Sequence, residues 1–330
     1  MDANNLPQWK DMPAVEGMPH GCAWGLFDKD GKKDELGTLN LLTPEVVMRA
    51  REEIKTGKSV ALNWGLDRLS DVQMGRSVLK HSHVDWRDKG YDFWCYDDEI
   101  SINTQTGEAS CCGGSQWDGL RHWGHSKTGY YYNGIKHDDL LKSGRLGVEN
   151  WTKRGGIVGR GVLLDYVAYA KRKGIEYSPM SSHPIPVVQL EEMARESNVE
   201  FRPGDIPIIR TGWTKWYDEA GFADRKKYVI DGYDWVGIEG CEEMMEWLWN
   251  HHFAAIATDA NGVERVPFNP EWTLHDYALA FWGMPLGEMW DLEALAAECE
   301  TQQRWTFFLT SSPLNLPGGA ASPPNAIAIF

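Results

Sequence analysis

At 330 residues the chain is long enough to bury a large core, as one big domain or two. A hydrophobic content of 42% marks it as folded rather than disordered, and 33 Lys+Arg against 48 Asp+Glu leave a net charge of −15. That balance argues against nucleic-acid binding, which needs a basic face, and no apolar run reaches the length that spans a bilayer.

Residues 1–35 read as a turn-rich N-terminal arm, and residues 36–330 as one large domain. The first nineteen residues are polar and lack the basic start and apolar middle of a secretory signal. The six cysteines, Cys22, Cys95, Cys111, Cys112, Cys241 and Cys299, form no CxxC pair, so free thiols in a reducing, cytoplasmic setting are expected. The 17 Trp are expected mostly in a Trp-rich core, with some lining a pocket.

In chain order, Thr43-Pro44-Glu45 opens a helix, with Thr as cap and Pro in the first position, running to about Lys55 and stopping at Gly57. Ser59–Trp64 reads as a strand. The charged stretch 66–98 carries His81-Ser82-His83. On a strand that spacing puts both imidazoles on one face, which suits a metal, although solvated histidines are the commoner reading. Tyr130-Tyr131-Tyr132-Asn133-Gly134 predicts a hairpin or lid loop. Ile157–Val167 predicts a buried strand, Pro186–Ser197 a helix, and Gly204–Trp213 a strand whose polar end can face a crevice. Cys241–Asn250 predicts a helix capped by His251-His252, then a strand over Phe253–Thr258 and a turn at Asp259–Gly262. A helix around Asp291–Cys299 and a last strand over Asn325–Phe330 close the chain. Interleaved strands and helices give an α/β or α+β class.

Cys111 to His122 draws attention because Ser115, Gln116, Asp118 and His122 crowd behind Gly113-Gly114. Asp118 and His122 are residue types that hold a divalent metal or move a proton. A polar surface turn fits the same residues. No phosphate-binding loop, GxSxG elbow or HExxH is present, and Gly155, Gly156 and Gly159 precede a strand rather than open a helix after one. Asp118, His122, His275 and Glu288 would suffice for Zn²⁺ or Mn²⁺ with one position open, yet no spacing brings residues 118 and 275 together.

From about Leu36 to its end the chain resembles the cyclase family that includes bacterial kynurenine formamidase and isatin hydrolase. The resemblance rests on Gly37-Thr38-Leu39-Asn40-Leu41-Leu42-Thr43-Pro44, on Arg160-Gly161-Val162-Leu163-Leu164-Asp165, and on Gly204-Asp205-Ile206 through Arg210-Thr211-Gly212-Trp213. The family hallmark HxGTHxDxPxH falls on Cys112 to His122. Gly114, Asp118 and His122 match it, and Ser115 replaces Thr. Cys112 and Gln116 replace the first two histidines, and Leu120 replaces Pro. His275 and Glu288 resemble the family's downstream His and Glu.

The resemblance implies a compact β/β/α fold, usually assembled as homodimers or homotetramers. It also implies that one metal position is damaged and that an adjacent one, made by Asp118, His122, His275 and Glu288, survives. Cys112 would ligate as thiolate, whereas Gln116, a poor Zn²⁺ ligand, suits a hydrogen bond to a substrate carbonyl or oxyanion.

Three readings follow. The first is a hydrolase that cleaves an amide, lactam or ester bond of a small aromatic or cyclic substrate, using water activated by one divalent ion (zinc or manganese). In it one of the two histidines, His122 or His275, moves protons, and Gln116 and Ser115 are further candidate catalytic residues. The second is a metal-independent lyase, dehydratase or cyclase using histidine acid–base catalysis. The third is a family member that binds a ligand without catalysis. Trp117, Trp123 and Trp213, with Tyr130–Tyr132 and Trp282, are expected to wall the substrate pocket. Arg121 and Arg210 are candidates for a substrate carboxylate, Arg210 also for a structural salt bridge at its strand end.

Overall fold

The computed structural model describes residues 5–70, 79–90, 92, 94–101 and 114–330. The expectation placed on Cys112 lies outside these residues. The apolar runs anticipated in the sequence become a mixed sheet. Among the described residues it has nine strands, in the order Ser59–Ala61, Ala326–Ile329, Thr306–Ser311, Ile157–Asp165, Ile206–Arg210, Ile256–Thr258, Leu286–Glu288, Gln116–Asp118 and Ala321–Ser322. The four central strands between Ile157 and Glu288 run parallel to one another. The flanking strands pair antiparallel. Parallel strands are covered on both faces, which is why Ile206, Pro207, Ile208 and Ile209 are all buried and read as a continuous apolar run rather than an alternating one. The fold is the expected α/β arrangement.

Helices Val187–Glu196 and Glu242–Asn250 form where predicted and bury Leu190, Met193 and Ala194 and Met244, Met245 and Leu248 respectively. His251 Nδ1 lies 2.9 Å from the Trp247 carbonyl oxygen, the predicted closing contact of the second helix. The helix opened by Thr43 is shorter than expected: it spans Pro44–Ala50 and tightens into a 3-10 turn over Arg51–Glu53. The 130s hairpin forms between Tyr130–Tyr131 and Ile135–Lys136. Asn133 and Gly134 at its tip both have positive φ, a conformation that Asn tolerates and Gly adopts freely.

The N-terminal segment packs into the main core. Leu6, Trp9, Met12, Cys22, Ala23 and Phe27 are buried there with Tyr277, Phe281 and Trp282. Trp249 Nε1 donates to the Pro7 carbonyl, and Trp282 Nε1 to that of Gly21. Most of the tryptophans therefore serve as core. Trp94, 85% exposed on a two-stranded hairpin, is an exception.

Candidate active site

The site begins at the strand pair Gln116–Asp118 and Leu286–Glu288. Their antiparallel register sets Glu288 opposite Gln116 and Leu286 opposite Asp118. Side chains alternate along a strand, so Gln116 and Asp118 share one face and Trp117 takes the other. Trp117 is fully buried against Trp290, its ring 4.8 Å away edge-on, and donates to Ser311 Oγ at 2.9 Å. Its expected place in the substrate wall is therefore corrected: period two sends it into the core.

Four residues beyond Asp118, the turn returns His122 to the same place. Its Nε2 stands 3.7 Å from Asp118 Oδ2, and His275 Nε2 approaches that same oxygen at 3.7 Å from a distant part of the chain. The ligand atoms of Asp118, His122 and His275 all lie within 4.8 Å of one another. Glu288 stands beside them, Oε1 3.5 Å from His275 Nε2, but outside that three-way cluster. Its Oε1 also accepts from the Val263 amide at 3.3 Å.

His275 is aimed by a residue that sequence reasoning missed. Glu264 is buried and takes the His275 ring Nδ1 at 2.7 Å, the His275 amide at 3.1 Å and the Leu274 amide at 2.7 Å. With Nδ1 engaged, Nε2 is the nitrogen turned to the cluster. Histidine ligands are ordinarily oriented in this way by an outer carboxylate. The signal was a carboxylate just past the turn that leaves strand Ile256–Thr258, in the crevice beyond its carboxyl end. The π-helical segment Asp276–Trp282 follows His275 directly and is buried throughout.

Gln116 is buried, and its Nε2 donates to Asp118 Oδ1 at 2.6 Å and to Glu288 Oε2 at 3.3 Å. The opposite amide orientation would press the Gln116 oxygen against two carboxylates, so the contacts themselves fix it. The expected donor to a substrate oxyanion is therefore corrected to a neutral bridge between two carboxylates. Ser115 is buried, and its Oγ has no hydrogen-bond partner among the described residues.

Burial raises the Asp118 carboxyl above its ordinary range, the Glu288 charge adds to this, and His122 and His275 pull it back. For His275, burial alone would lower the pKa, but the carboxylates of Asp118, Glu264 and Glu288 win and raise it well above the ordinary imidazole value.

The donor chemistry suits a divalent ion. Two imidazole nitrogens each stand 3.7 Å from one carboxylate oxygen, too far to hydrogen-bond it. Around a tetrahedral ion with bonds of about 2.1 Å, ligand atoms lie about 3.4 Å apart.

Of the aromatic residues named as pocket walls, Trp123 lies beside the two histidines. Its ring centroid is 5.1 Å from that of His275 and 6.2 Å from that of His122, and its Nε1 donates to Asp276 Oδ1 at 2.7 Å. Phe268, which the sequence did not single out, lies 6.0 Å from His275 and 6.4 Å from Trp123. Trp213 instead stacks on Tyr217, 5.4 Å away, inside a separate buried cluster with Trp64 and Trp235. Trp282 is likewise core.

Arg121 is also corrected. Its guanidinium donates to the carbonyls of Leu140, Ser143 and Arg145, closing the C-terminus of helix His137–Lys142 rather than awaiting a carboxylate. Arg210 bridges Asp165 and Glu293, its structural alternative.

Near the strand ends of a mixed sheet, two imidazoles and an acidic shell thus converge on one place. The chain belongs to the cyclase family, whose model matches residues 77–265. It is similar to a crystal structure described as a novel cyclase, 30% identical with a TM-score of 0.79, covering 94% of this chain and 99% of that one. Two isatin hydrolases share the fold. One, from Labrenzia aggregata and bound to benzyl benzoate, is 16% identical with a TM-score of 0.57 over 82% of this chain and 93% of that one. The other, bound to the product analogue thioisatinate, is 14% identical with a TM-score of 0.58 over 86% of this chain and 96% of that one. No curated protein matches the chain. Among the described residues, no helix is long and apolar enough to cross a membrane.

Proposed function

We propose that this protein is a hydrolase that opens an amide, lactam or ester bond of a small aromatic or cyclic substrate. In this reading Asp118, His122 and His275 hold one divalent ion, zinc or manganese, with Glu288 beside them. The observation that carries the reading is the convergence of these three side chains from two distant parts of the chain, with His275 aimed by Glu264. Family membership and a fold shared with proteins named isatin hydrolases, which act on a cyclic amide, support it.

When bound, the ion supplies Lewis acidity and an acidified water. The remaining work belongs to the chain. Glu264 holds the tautomer and angle of His275, so that its Nε2 meets the site. Gln116 keeps Asp118 and Glu288 apart and in place without adding charge. Trp123 and Phe268 flank His275 and offer apolar faces to a planar ring. In the metal-free alternative, where its Nε2 holds no ion, His122, 10% exposed at its side chain where Asp118 is wholly buried, has the access needed to move a proton.

The test is elemental analysis of protein purified without chelator, joined to assay against a lactam such as isatin and a panel of aryl esters before and after chelation. One ion per site and loss of activity on chelation are expected, with recovery on adding zinc or manganese. A metal-free preparation with full activity would overturn the metal and favour the second reading, histidine acid–base catalysis on a lyase, dehydration or cyclisation reaction. Gln116 in place of a hallmark histidine is the observation on that side. Turnover of none of the panel, with biological activity surviving His275→Ala, would favour ligand binding alone. Assembly as a homodimer or homotetramer belongs to the same proposal, and light scattering of the purified protein checks it.

A further inference from the structure

A second cluster of metal-ligating side chains lies on the hairpin of strands Lys80–Asp85 and Tyr96–Ser101. His81 and His83 are two residues apart and share a face, and the register sets Asp98 directly opposite His83. His81 Nε2 lies 2.9 Å and His83 Nδ1 3.0 Å from one and the same oxygen, Asp98 Oδ1. The two imidazole centroids are 4.7 Å apart. One ligand atom from each of the three residues falls within 4.8 Å of the others, as in the buried cluster.

We propose that this hairpin carries a separate divalent transition-metal site, formed by His81, His83 and Asp98. Two borderline-soft nitrogens and one hard oxygen select ions of the zinc, nickel and copper kind over magnesium or calcium. The 2.9 and 3.0 Å contacts are hydrogen-bond lengths, and opening them by about half an ångström reaches the spacing of about 3.4 Å between ligand atoms around a tetrahedral ion. Side-chain exposures of 41%, 65% and 57% mean that ion entry desolvates little and that water or an incoming ligand can complete the shell. The chain as a whole is net negative, which favours the approach of a cation over that of an anion. The site is independent of the proposed catalytic ion: it stands on a different sheet and uses none of the same residues.

The experiment is calorimetric titration of tag-free, full-length protein with Zn²⁺, with bound zinc counted after dialysis. Four proteins are compared: the wild type, the double variant His81→Ala/His83→Ala, Asp98→Asn and His275→Ala. The double variant is expected to hold one ion fewer than the wild type. Asp98→Asn should bind at the hairpin roughly tenfold or more weakly, since losing a ligand costs at least what losing an outer-shell partner does. His275→Ala should keep the hairpin ion. If the catalytic-metal reading fails, the wild type binds one ion and the double variant none, and the hairpin site stands. A double variant that takes up zinc with wild-type stoichiometry and affinity overturns it, and so does a wild type whose only zinc is lost with His275. In either case the contacts are hydrogen bonds from two imidazoles to one carboxylate.

Discussion

Among the described residues, two histidines and an aspartate gather in two places, and the two differ in nearly everything except residue type. At the sheet, Asp118 is wholly buried, His275 and His122 are almost so, and an outer carboxylate, Glu264, fixes the imidazole. On the hairpin, all three groups face solvent, and one oxygen of Asp98 meets both imidazoles. The contrast is one of desolvation. Taking a carboxylate out of water costs several kcal/mol or more unless charge and hydrogen bonds replace the water, and the buried cluster does this with imidazoles and the Gln116 amide. The exposed cluster carries no such cost, so its residues need little else around them. A buried cluster built at that expense is the better place for chemistry. An exposed one is a place for an exchangeable ion.

The sharpest way to break the comparison is to remove the buried acid. Asp118→Asn should abolish retention of the catalytic ion and lower turnover by about 10²-fold or more, while zinc binding at the hairpin persists. Unchanged metal content at the sheet site would show that the two clusters do not differ as described.

Next in size is the outer carboxylate. Glu264→Gln should weaken metal binding at His275 by about 10- to 100-fold and free the ring to change tautomer, seen as altered ¹⁵N imidazole shifts. A substitution silent in both readouts would remove Glu264 from the positioning role.

The buried site should also depend on pH. In metal-free protein the folded-state pKa of His275 is raised well above the ordinary imidazole value by the carboxylates around it. The stability this contributes is complete below the unfolded value and is lost as pH rises through the folded one. Metal and proton compete for Nε2, so ion affinity should increase as pH rises above the ordinary imidazole value, with protons released on binding. Titrations in buffers of different ionisation enthalpy count those protons. A pH-independent affinity would contradict the competition.

Smaller effects sharpen the boundaries. Arg121→Ala should cost about 1–3 kcal/mol of unfolding free energy through its three carbonyl contacts and leave KM unchanged. A raised KM with unaltered stability would restore Arg121 to substrate binding. Removing His81 and His83 together should shift stability by less than about 0.5 kcal/mol, because both are exposed. Chemical denaturation of each variant measures both.

Much of the frame was readable in advance. The central strands and the helices Val187–Glu196 and Glu242–Asn250 follow from apolar runs and helical spacing. Asp118 and His122 stood out because two ionisable groups of the right chemistry lie four residues apart behind a pair of glycines. The misplacement of Trp117 was avoidable, since neighbours on one strand face opposite ways, so Trp117 and Asp118 do not share a pocket. Arg121 was a different case. Nothing local distinguishes a guanidinium that meets a substrate carboxylate from one that meets the end of a helix twenty residues on.

By itself the sequence determined the local facts: which runs are apolar, which faces alternate, and which short stretches combine metal-ligating side chains, both around Asp118 and at His81 and His83. Only the tertiary structure decided which of these meet. Asp118 reaches His275 because strands Gln116–Asp118 and Leu286–Glu288 pair across 172 residues of separation, the distance that Gln116 spans to reach Glu288. Glu264 becomes the partner of His275 because the chain turns back after strand Ile256–Thr258. Side-chain periodicity is a property of a segment. Convergence is a property of how segments pack, and the energy that sets it comes from buried contacts between residues far apart in the chain.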